Sequence, residues 1–326
     1  MAMTPRLVVC ALLLALGLAA AAQPTKKVPR IGYLAAVSAS ADAPRLAAFR
    51  QGLRELGYVE GQTIQIEYRH ESADLQRLPE HAAELVRMNI DLLVAVTSNA
   101  AVAAKKTTST VPIVFMGVTD PIATGLAESL ARPGSNATGV TNVAAILTGK
   151  RLELLKEMVP KLRRVGVLAN PLHPGQKLEH AVVEEKARQL GLHTTAYSTS
   201  TEAELDAALK SIAAAPPDGL LVLSDGFVVV HRRKILDFAL ARRLPVISGW
   251  ALMADSGALC TYGPRLADAY ARVGYFVDRI LKGAAASSLP IEQPTNLELV
   301  VNRKTAKQLG VSIPPGVLAR ADRVIE

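Results

Sequence analysis

The sequence contains few cysteines. Among 326 residues there are two, Cys10 and Cys260. Cys10 lies in an N-terminal apolar stretch, and removal of that stretch would leave Cys260 as the single thiol. A small extracellular domain held together by disulfides is therefore excluded, and the fold must depend on a large apolar core. Cys260 lies in an apolar run, so we interpret it as a packing residue rather than a nucleophile.

The sequence also lacks the common motifs of catalysis. It has no Gly-rich phosphate loop, no Gly-x-Ser-x-Gly turn and no paired-cysteine motif, so we predict no catalytic residue and no cofactor. The histidines show no spacing typical of a metal site, and we predict no metal. They are His70, His81, His173, His180, His193 and His231.

Aromatic residues are scarce, at 4% of the chain, and basic residues exceed acidic ones only modestly, 37 to 29. The basic residues are scattered along helical patterns, as at 232–234 and 242–243, without aromatic residues between them. This pattern is typical of solvated helix faces rather than of a nucleic-acid interface. We therefore expect no nucleic-acid partner.

The N-terminal 22 residues have the pattern of a secretory signal peptide. One basic residue, Arg6, precedes an apolar run at 7–18 and four alanines at 19–22. The run is short for a transmembrane span, and the alanines are typical of a cleavage site. We predict export to the periplasm; an uncleaved anchor is the alternative.

From Arg30 onwards, strand and helix patterns alternate, which predicts parallel sheets covered by helices on both faces. The second half repeats the first, because Arg30, Ile31 and Gly32 recur as 164–166 and Leu56 with Gly57 recurs as 190–191. Both repeats have an offset of 134 residues. We predict an α/β protein of two doubly wound parallel-sheet lobes with a cleft between them.

The tail after residue 254 is too short for a third repeat, so we expect its parts to complete the two lobes. A strand at 258–262 and a helix at 266–282 are assigned to the first lobe, and a strand at 297–302 to the second. The first lobe is then 28–148 with 255–284, and the second is 149–254 with 288–326.

Two neighbouring strands end in small polar residues, at the sheet edge where open α/β folds bind ligands. The strand at 91–96 leads into Ser98 and Asn99 at a helix start, which suits an anionic group. The strand at 112–118 leads into Thr119 and Asp120, and Asp120 suits an amine. The alternative for both sites is that these side chains only cap the helices that follow.

Several segments resemble a known family, the bacterial ABC transporter substrate-binding proteins of the tryptophan/tyrosine-binding type, which have the type I periplasmic binding protein fold. The resemblance runs from about Val28 to Glu326. It is carried by segments 52–61 (GLRELGYVEG), 111–130 (VPIVFMGVTDPIATGLAESL), 132–140 (RPGSNATGV), 154–170 and 300–315.

The resemblance implies a monomeric receptor that closes on a small molecule and delivers it to an inner-membrane permease with a separate ATPase. Strand-end loops would hold the ligand, here Ser38, Ser98, Asn99, Thr119, Asp120, Asn170, Pro171, Asp225, Trp250 and Tyr262. The chain departs from the family pattern by having Ser98 and Asn99 where Thr and Pro often stand. The resemblance therefore implies a small polar or zwitterionic ligand without identifying it.

Some of these residues have alternative interpretations. Asp225 is a second candidate amine partner or a turn residue before Gly226, and Trp250 either stacks on a planar ligand or packs at the rim. Two other functions also fit the fold. One is a periplasmic enzyme with Asp120 and Asp225 as an acid and base pair, and the other is a sensory module.

Overall fold

The structure is a computed structural model, and it describes residues 27–72 and 74–326. The predicted signal peptide lies outside the described residues. Within the described part of the chain, no helix has the length and apolar character that a membrane span requires.

The first lobe is built on a sheet of five parallel strands in the order β2-β1-β3-β4-β5. The strands are β1 (Arg30–Ala35), β2 (Gln65–His70), β3 (Leu92–Val96), β4 (Ile113–Val118) and β5 (Ala137–Thr141). β3 is a continuous apolar run and every residue in it is buried, as expected for a central strand covered on both faces.

The second lobe is built on a seven-stranded sheet in the order β12-β11-β10-β9-β8-β6-β7. Its strands are β6 (Arg164–Ala169), β7 (His193–Ser198), β8 (Gly219–Val222), β9 (Val246–Ser248), β10 (Cys260–Pro264), β11 (Leu297–Asn302) and β12 (Arg323–Ile325). The pairing of β10 with β11 is antiparallel, and the other pairings are parallel.

Helices cover both faces of each sheet. They are α1 (Ala39–Glu55), α2 (Leu78–Arg87), α3 (Ser98–Thr107), α4 (Ala144–Met158), α5 (Gln176–Gln189), α6 (Glu202–Ala214), α7 (Gly226–Val230), α8 (Arg232–Ala241), α9 (Ala251–Asp255), α10 (Leu266–Leu281), α11 (Arg303–Leu309) and α12 (Pro315–Arg320), with short 3₁₀ helices at Leu75–Arg77 and Ala286–Ser288. Each sheet has an apolar cluster on either face. The predicted fold class, two doubly wound α/β lobes, is confirmed.

The sequence repeat reflects equivalent backbone contacts in the two lobes. The Asp91 carboxylate accepts a hydrogen bond from the Arg30 backbone N–H at 2.8 Å, and Asp218 accepts one from the Arg164 backbone N–H at the same distance. Asp91 directly precedes β3, and Asp218 directly precedes β8. Each aspartate therefore ties the start of its own strand to the start of the neighbouring strand of the sheet, β1 or β6. The repeated Arg residues mark the two strand starts that these bonds fix.

One predicted element belongs to the other lobe. The strand expected at 258–262 in the first lobe is β10, which pairs with β9 and β11 in the second sheet, so that assignment is wrong. The following helix, α10, does pack against α1 of the first lobe. The chain returns to the first lobe after β10 rather than before it, because β10 pairs with the open edge of the second sheet at β9.

The chain passes between the lobes three times. It leaves the first sheet after β5 and enters α4, it returns between β10 and α10, and it leaves again after Glu292, which is bridged to Val140 of β5, to enter β11. Val143, at the first crossing, has φ 47°, a left-handed conformation that β-branched residues rarely adopt. These three short crossings form the hinge between the lobes.

The contact of α1 with α10 depends on glycine. A Cβ added at Gly52 would lie 2.4 Å from the backbone oxygen of Ala271, and one at Gly274 would lie 3.0 Å from the carbonyl carbon of Gly52. Gly149 on α4 has more room, because its added Cβ would lie 3.2 Å from the flexible Lys186 side chain and 3.6 Å from Val182 Cγ1, an ordinary van der Waals distance.

We predict that Gly52→Ala lowers the free energy of unfolding by about 1–3 kcal/mol, because the methyl group forces the two helices apart. Gly149→Ala serves as the control, and it is expected to be neutral or to stabilise by up to ~1 kcal/mol, since alanine favours the helix. Urea unfolding of both variants measures these changes. Equal effects of the two substitutions would contradict the proposed packing constraint.

Candidate ligand-binding site

A pocket lies between the lobes, at the carboxyl ends of the strands of both sheets. The cavity volume of this pocket is about 30 Å³. Polar residues from both lobes line it, namely Arg45, Thr97, Asn99, Asn142, His173, Ser224, Asp225, Trp250 and Tyr270. The apolar lining is Ala36, Leu75, Val96, Met116 and Leu266.

The two lobes touch each other beside this pocket, so the structure is a closed arrangement. The Thr119 hydroxyl of the first lobe donates a hydrogen bond to Glu179 Oε1 of the second lobe at 3.5 Å. Gly175 lies so close to Thr119 that a Cβ on it would be 2.4 Å from the Thr119 Cβ. Likewise, a Cβ on Gly226 would lie 2.7 Å from the backbone oxygen of Ala36. Glycine is required at these two close approaches.

Arg45 brings a buried cation to the pocket from α1 of the first lobe. Only 8% of its surface is exposed, and its guanidinium carbon lies 5.2 Å from the ring centroid of Trp250, which belongs to the second lobe. Its Nη2 atom is buried and has no hydrogen-bond partner within the described chain. An unpaired buried donor on a cation is costly, so this atom is suited to an anionic group of a ligand.

A buried hydrogen-bond network is centred on Asp42, which shares the buried face of α1 with Arg45. Asp42, which is one turn earlier on α1 and fully buried, accepts hydrogen bonds from the hydroxyls of Tyr33 at 2.8 Å and Tyr270 at 3.3 Å. His70 Nε2 lies 3.2 Å from the same carboxylate. Burial raises the pKa of Tyr270, which Asp42 raises further and Arg45 lowers. The network fixes the helix face that carries Arg45.

The junction of β3 and α3 contributes two polar residues to the pocket. Thr97 has φ 84°, a strained conformation for a β-branched residue, and its buried hydroxyl has no partner among the described residues. Asn99 follows and also lines the pocket. Ser98, predicted to act with Asn99, instead accepts a hydrogen bond from the Thr119 backbone N–H at 3.2 Å and so links the ends of β3 and β4.

The structure does not place Asp120 among the residues lining the pocket. Its carboxylate accepts hydrogen bonds from the backbone N–H groups of Ile122 and Ala123, both at 2.9 Å. The helix expected to begin near Pro121 is absent, because residues 121–125 form a turn. Asp120 therefore closes a turn and does not cap a helix. Thr119 lies at the contact between the lobes rather than in the pocket.

Asp225 is the carboxylate that does reach the pocket, and it is 5% exposed. Its Oδ1 accepts from the Phe227 backbone N–H at 2.7 Å, and its Oδ2 accepts from Asn170 Nδ2 at 3.1 Å. It is thus both a helix cap and a pocket residue. Burial lowers the pKa of neighbouring His173, an effect that Asp225 opposes, so this imidazole is neutral near pH 7.

The remaining predicted residues lie in different places. Trp250 lines the pocket, while the Asn170 side-chain amide donates a hydrogen bond to Asp225. Ser38 caps α1 by accepting from the Ala41 backbone N–H, and Pro171 is exposed. Tyr262 supplies a backbone oxygen to Arg151 Nε at 2.8 Å and packs in the second-lobe core.

Arg45, Asn142, His173, Ser224 and Tyr270 line the pocket but are absent from the predicted site. A sequence signal did exist for Arg45. Asp42 and Arg45 share the buried stripe of α1 with Leu46, Phe49 and Leu53, and charged residues on the apolar face of a helix require a partner.

Arg151 and Glu179 are both buried in the second lobe and influence each other electrostatically. Burial raises the pKa of Glu179 to about 7 even though Arg151 opposes the shift, and burial lowers the pKa of Arg151 to about 10. Arg151 Nη1 also bonds the Thr148 hydroxyl at 3.1 Å. In the parts of the chain that the structure covers, no three His, Cys, Asp or Glu side chains are grouped so as to hold a metal ion.

Two α/β lobes joined by three crossings, with a pocket between them, define a small-molecule-binding protein of the type I periplasmic binding protein fold. The family model described as ABC transporter substrate binding protein matches residues 30–325. The chain therefore belongs to the ABC transporter substrate binding protein family.

Several relatives are similar over most of the chain. A tyrosine-binding protein of Clostridioides difficile strain R20291 is 27% identical over 285 residues, which are 87% of this chain and 82% of that protein. A conserved domain protein from Vibrio cholerae has a TM-score of 0.87 at 27% identity, covering 91% of this chain and 100% of that one.

Of two further solved structures, one contains a ligand and the other is ligand-free and open. The ABC domain in complex with L-Trp from Streptococcus pneumonia has a TM-score of 0.86 at 24% identity, covering 91% of this chain and 99% of that one. The ligand-free, open structure of a Clostridium difficile substrate binding protein with adhesive properties has a TM-score of 0.67 at 26% identity and the same coverage. The lower score of the open structure accords with the contacts between the lobes described above.

We predict that Glu179 makes folding stability depend on pH. Its pKa in the folded protein is about 7, above the ordinary value of 4.5, so its contribution is complete below the ordinary value and is lost as the pH rises through about 7. The loss is at most roughly 3 kcal/mol. Glu179→Gln should abolish it.

Urea unfolding of the wild type and Glu179→Gln at about pH 5 and pH 8 tests this expectation. The variant should gain stability relative to the wild type at the higher pH. His173 has the opposite pH dependence, but it is present in both proteins and cancels in the comparison. A stability difference between the two proteins that is the same at both pH values would contradict the assignment.

Proposed function

We propose that this protein is the periplasmic receptor of an ABC importer and that it binds a small zwitterionic solute in the pocket between its lobes. The observation that carries the ligand class is the buried Nη2 atom of Arg45, a residue that lines the pocket; this atom has no hydrogen-bond partner in the described chain. A ligand carboxylate would pair with it. The Asp225 carboxylate, from the opposite lobe, would accept a hydrogen bond from the ligand amine.

The relatives narrow the proposed ligand further. One is named for binding tyrosine, and another is in complex with L-Trp. The apolar lining residues Leu75, Val96, Met116 and Leu266 would cover an aromatic or large aliphatic side chain. We therefore propose an amino acid with a large side chain. Trp250 would act partly through Arg45, because the guanidinium lies over its ring.

The proposed mechanism is a population shift between open and closed arrangements. A ligand that contacts Arg45 in the first lobe and Asp225 in the second is held fully only when the lobes close. The closed form would then be the one that the permease recognises, with transport driven by a separate ATPase. An enzyme using Asp120 and Asp225 as a pair receives no support, because the two carboxylates do not share the pocket.

We expect Arg45→Met to weaken binding of the amino-acid ligand by about 10- to 100-fold, since a hydrogen-bonded charge pair is worth roughly 1.5–3 kcal/mol. Calorimetry with L-tyrosine and L-tryptophan measures this change. The control is Arg54→Met, at an exposed position of the same helix where the side chain donates to Gln51, and this variant should bind as the wild type does. Equal affinities for the two variants would refute the role of Arg45.

We expect Asp225→Asn to weaken binding of an amino acid about tenfold or more, while its analogue without the amino group is little affected. Asparagine is chosen because it also caps a helix start, so α7 should remain intact. Titration of both compounds into the variant and the wild type gives the comparison. If the substitution weakens both compounds equally, Asp225 does not pair with the amine.

A further inference from the structure

Glu179 lies where the two lobes meet. It is in the first turn of α5 in the second lobe, and only 1% of its surface is exposed. The first lobe covers it, because the Thr119 hydroxyl donates a hydrogen bond to its Oε1 at 3.5 Å and the Thr119 side chain packs against Gly175 at the start of the same helix. Separation of the lobes would therefore remove Thr119 and let water reach the Glu179 carboxyl.

The Glu179 carboxyl has few hydrogen-bond donors when the lobes are closed. The Thr119 bond to Oε1 is long, and Oε2 is buried without a partner among the residues that the structure describes. Asn170 lines the same small cavity as Glu179, but its amide already donates to Asp225. Burial of an ionised carboxylate with so few donors is costly, and the neutral carboxyl avoids most of that cost.

Titratable side chains from three other segments surround Glu179. Arg151 of α4 is buried and favours the ionised carboxylate, whereas Asp225, just before α7, favours the neutral carboxyl. His173, after β6, lines the same cavity as Glu179 and is kept neutral by its own burial. Burial of Glu179 outweighs the effect of Arg151 and raises the pKa of Glu179 to about 7. The group that the first lobe contributes, the Thr119 hydroxyl, carries no charge.

We propose that closure of the lobes is coupled to the uptake of one proton by Glu179, so that low pH favours the closed form and high pH favours the open form. In the closed form the proton stays on the buried carboxyl. In the open form water solvates the carboxylate, and the proton passes to the solvent. Because closure raises the pKa of Glu179, its contribution to closure is complete in acid and is lost as the pH rises through about 7. The consequence for ligand affinity rests on the proposed function, whereas the closure equilibrium itself does not depend on which ligand binds.

Trp250 provides a measurement of closure that needs no ligand. It is the one tryptophan of the sequence, it is 8% exposed, and the Arg45 guanidinium of the other lobe lies 5.2 Å from its ring centroid. Opening would withdraw Arg45 and expose the indole to water, which moves its fluorescence emission to longer wavelength. Emission of the ligand-free protein, together with its radius of gyration from small-angle X-ray scattering, therefore reports the balance between the two forms.

Glu179→Gln keeps the shape of the neutral side chain but cannot ionise. At about pH 5.5 we expect the wild type and this variant to give the same emission and radius, and at about pH 8 we expect the wild type to be more open. His173 opposes closure in acid, but it is present in both proteins and cancels in the comparison. Glu185→Gln, at an exposed position of the same helix, is the control and should follow the wild type at both pH values.

Gly175→Ala tests the contact that buries Glu179. The added Cβ would lie 2.4 Å from the Thr119 Cβ, so the lobes should remain apart, whereas φ −90° at this position suits alanine and leaves α5 intact. We expect this variant to be open at both pH values. Gly175→Ala combined with Glu179→Gln should then give the same emission and radius as Gly175→Ala alone.

Calorimetry with L-tyrosine and L-tryptophan measures the consequence for binding. Relative to Glu179→Gln, the wild type should lose up to about thirtyfold in affinity between about pH 5.5 and pH 8. A difference in emission between these two proteins that is the same at both pH values, is larger in acid, or persists in the Gly175→Ala background overturns the coupling and leaves the proposed function standing. If neither amino acid binds but the expected difference in emission is present, the proposed ligand class fails and the coupling stands.

Discussion

Burial of the Arg45 guanidinium between the two lobes is the constraint on which the site depends. When the lobes are closed, Nη2 is removed from water and has no partner in the described chain, and such a group costs about 1–3 kcal/mol. Ser224 and Thr97 also line this pocket, and their hydroxyls have no hydrogen-bond partner among the residues that the structure describes. On the proposed function, a ligand carboxylate at Nη2 would remove this cost, and binding would thereby favour the closed form.

The two lobes are similar in topology but contribute different charges to the pocket. The two lobes share their strand–helix order and the aspartate that fixes the first strand of each, Asp91 and Asp218. Their contributions to the pocket nevertheless differ in sign, with Arg45 in one lobe and Asp225 in the other. The zwitterionic ligand proposed above would be held fully by neither lobe alone, so its binding would favour closure about the three crossings.

The sequence predicted the architecture well because its signals are local. Apolar runs such as Leu92–Val96 define buried parallel strands, and the repeat at a constant offset defines two similar lobes. The lobe that receives strand β10 was not predictable in this way, because strand pairing across a crossing depends on which sheet edge is open. That edge is a property of the assembled fold.

The site was predicted only in part, for a physical reason. Asn99, Asp225 and Trp250 are at strand ends and do line the pocket. Ser98 and Asp120 are also at strand ends, but nearby backbone N–H groups take up their side chains. A pattern of strand ends does not distinguish a cap from a ligand contact. Nor does it reveal residues such as Arg45, which reach the cleft from a helix face.

The most direct test of this account is to recover the small molecule that co-purifies with the protein, identify it by mass spectrometry and locate it in a crystal structure of the complex. We predict a zwitterion whose carboxylate lies about 2.7–3.2 Å from Arg45 Nη2, with its amine at Asp225. A neutral molecule, or a ligand whose anionic group lies elsewhere while Nη2 bonds only to protein, would contradict the account.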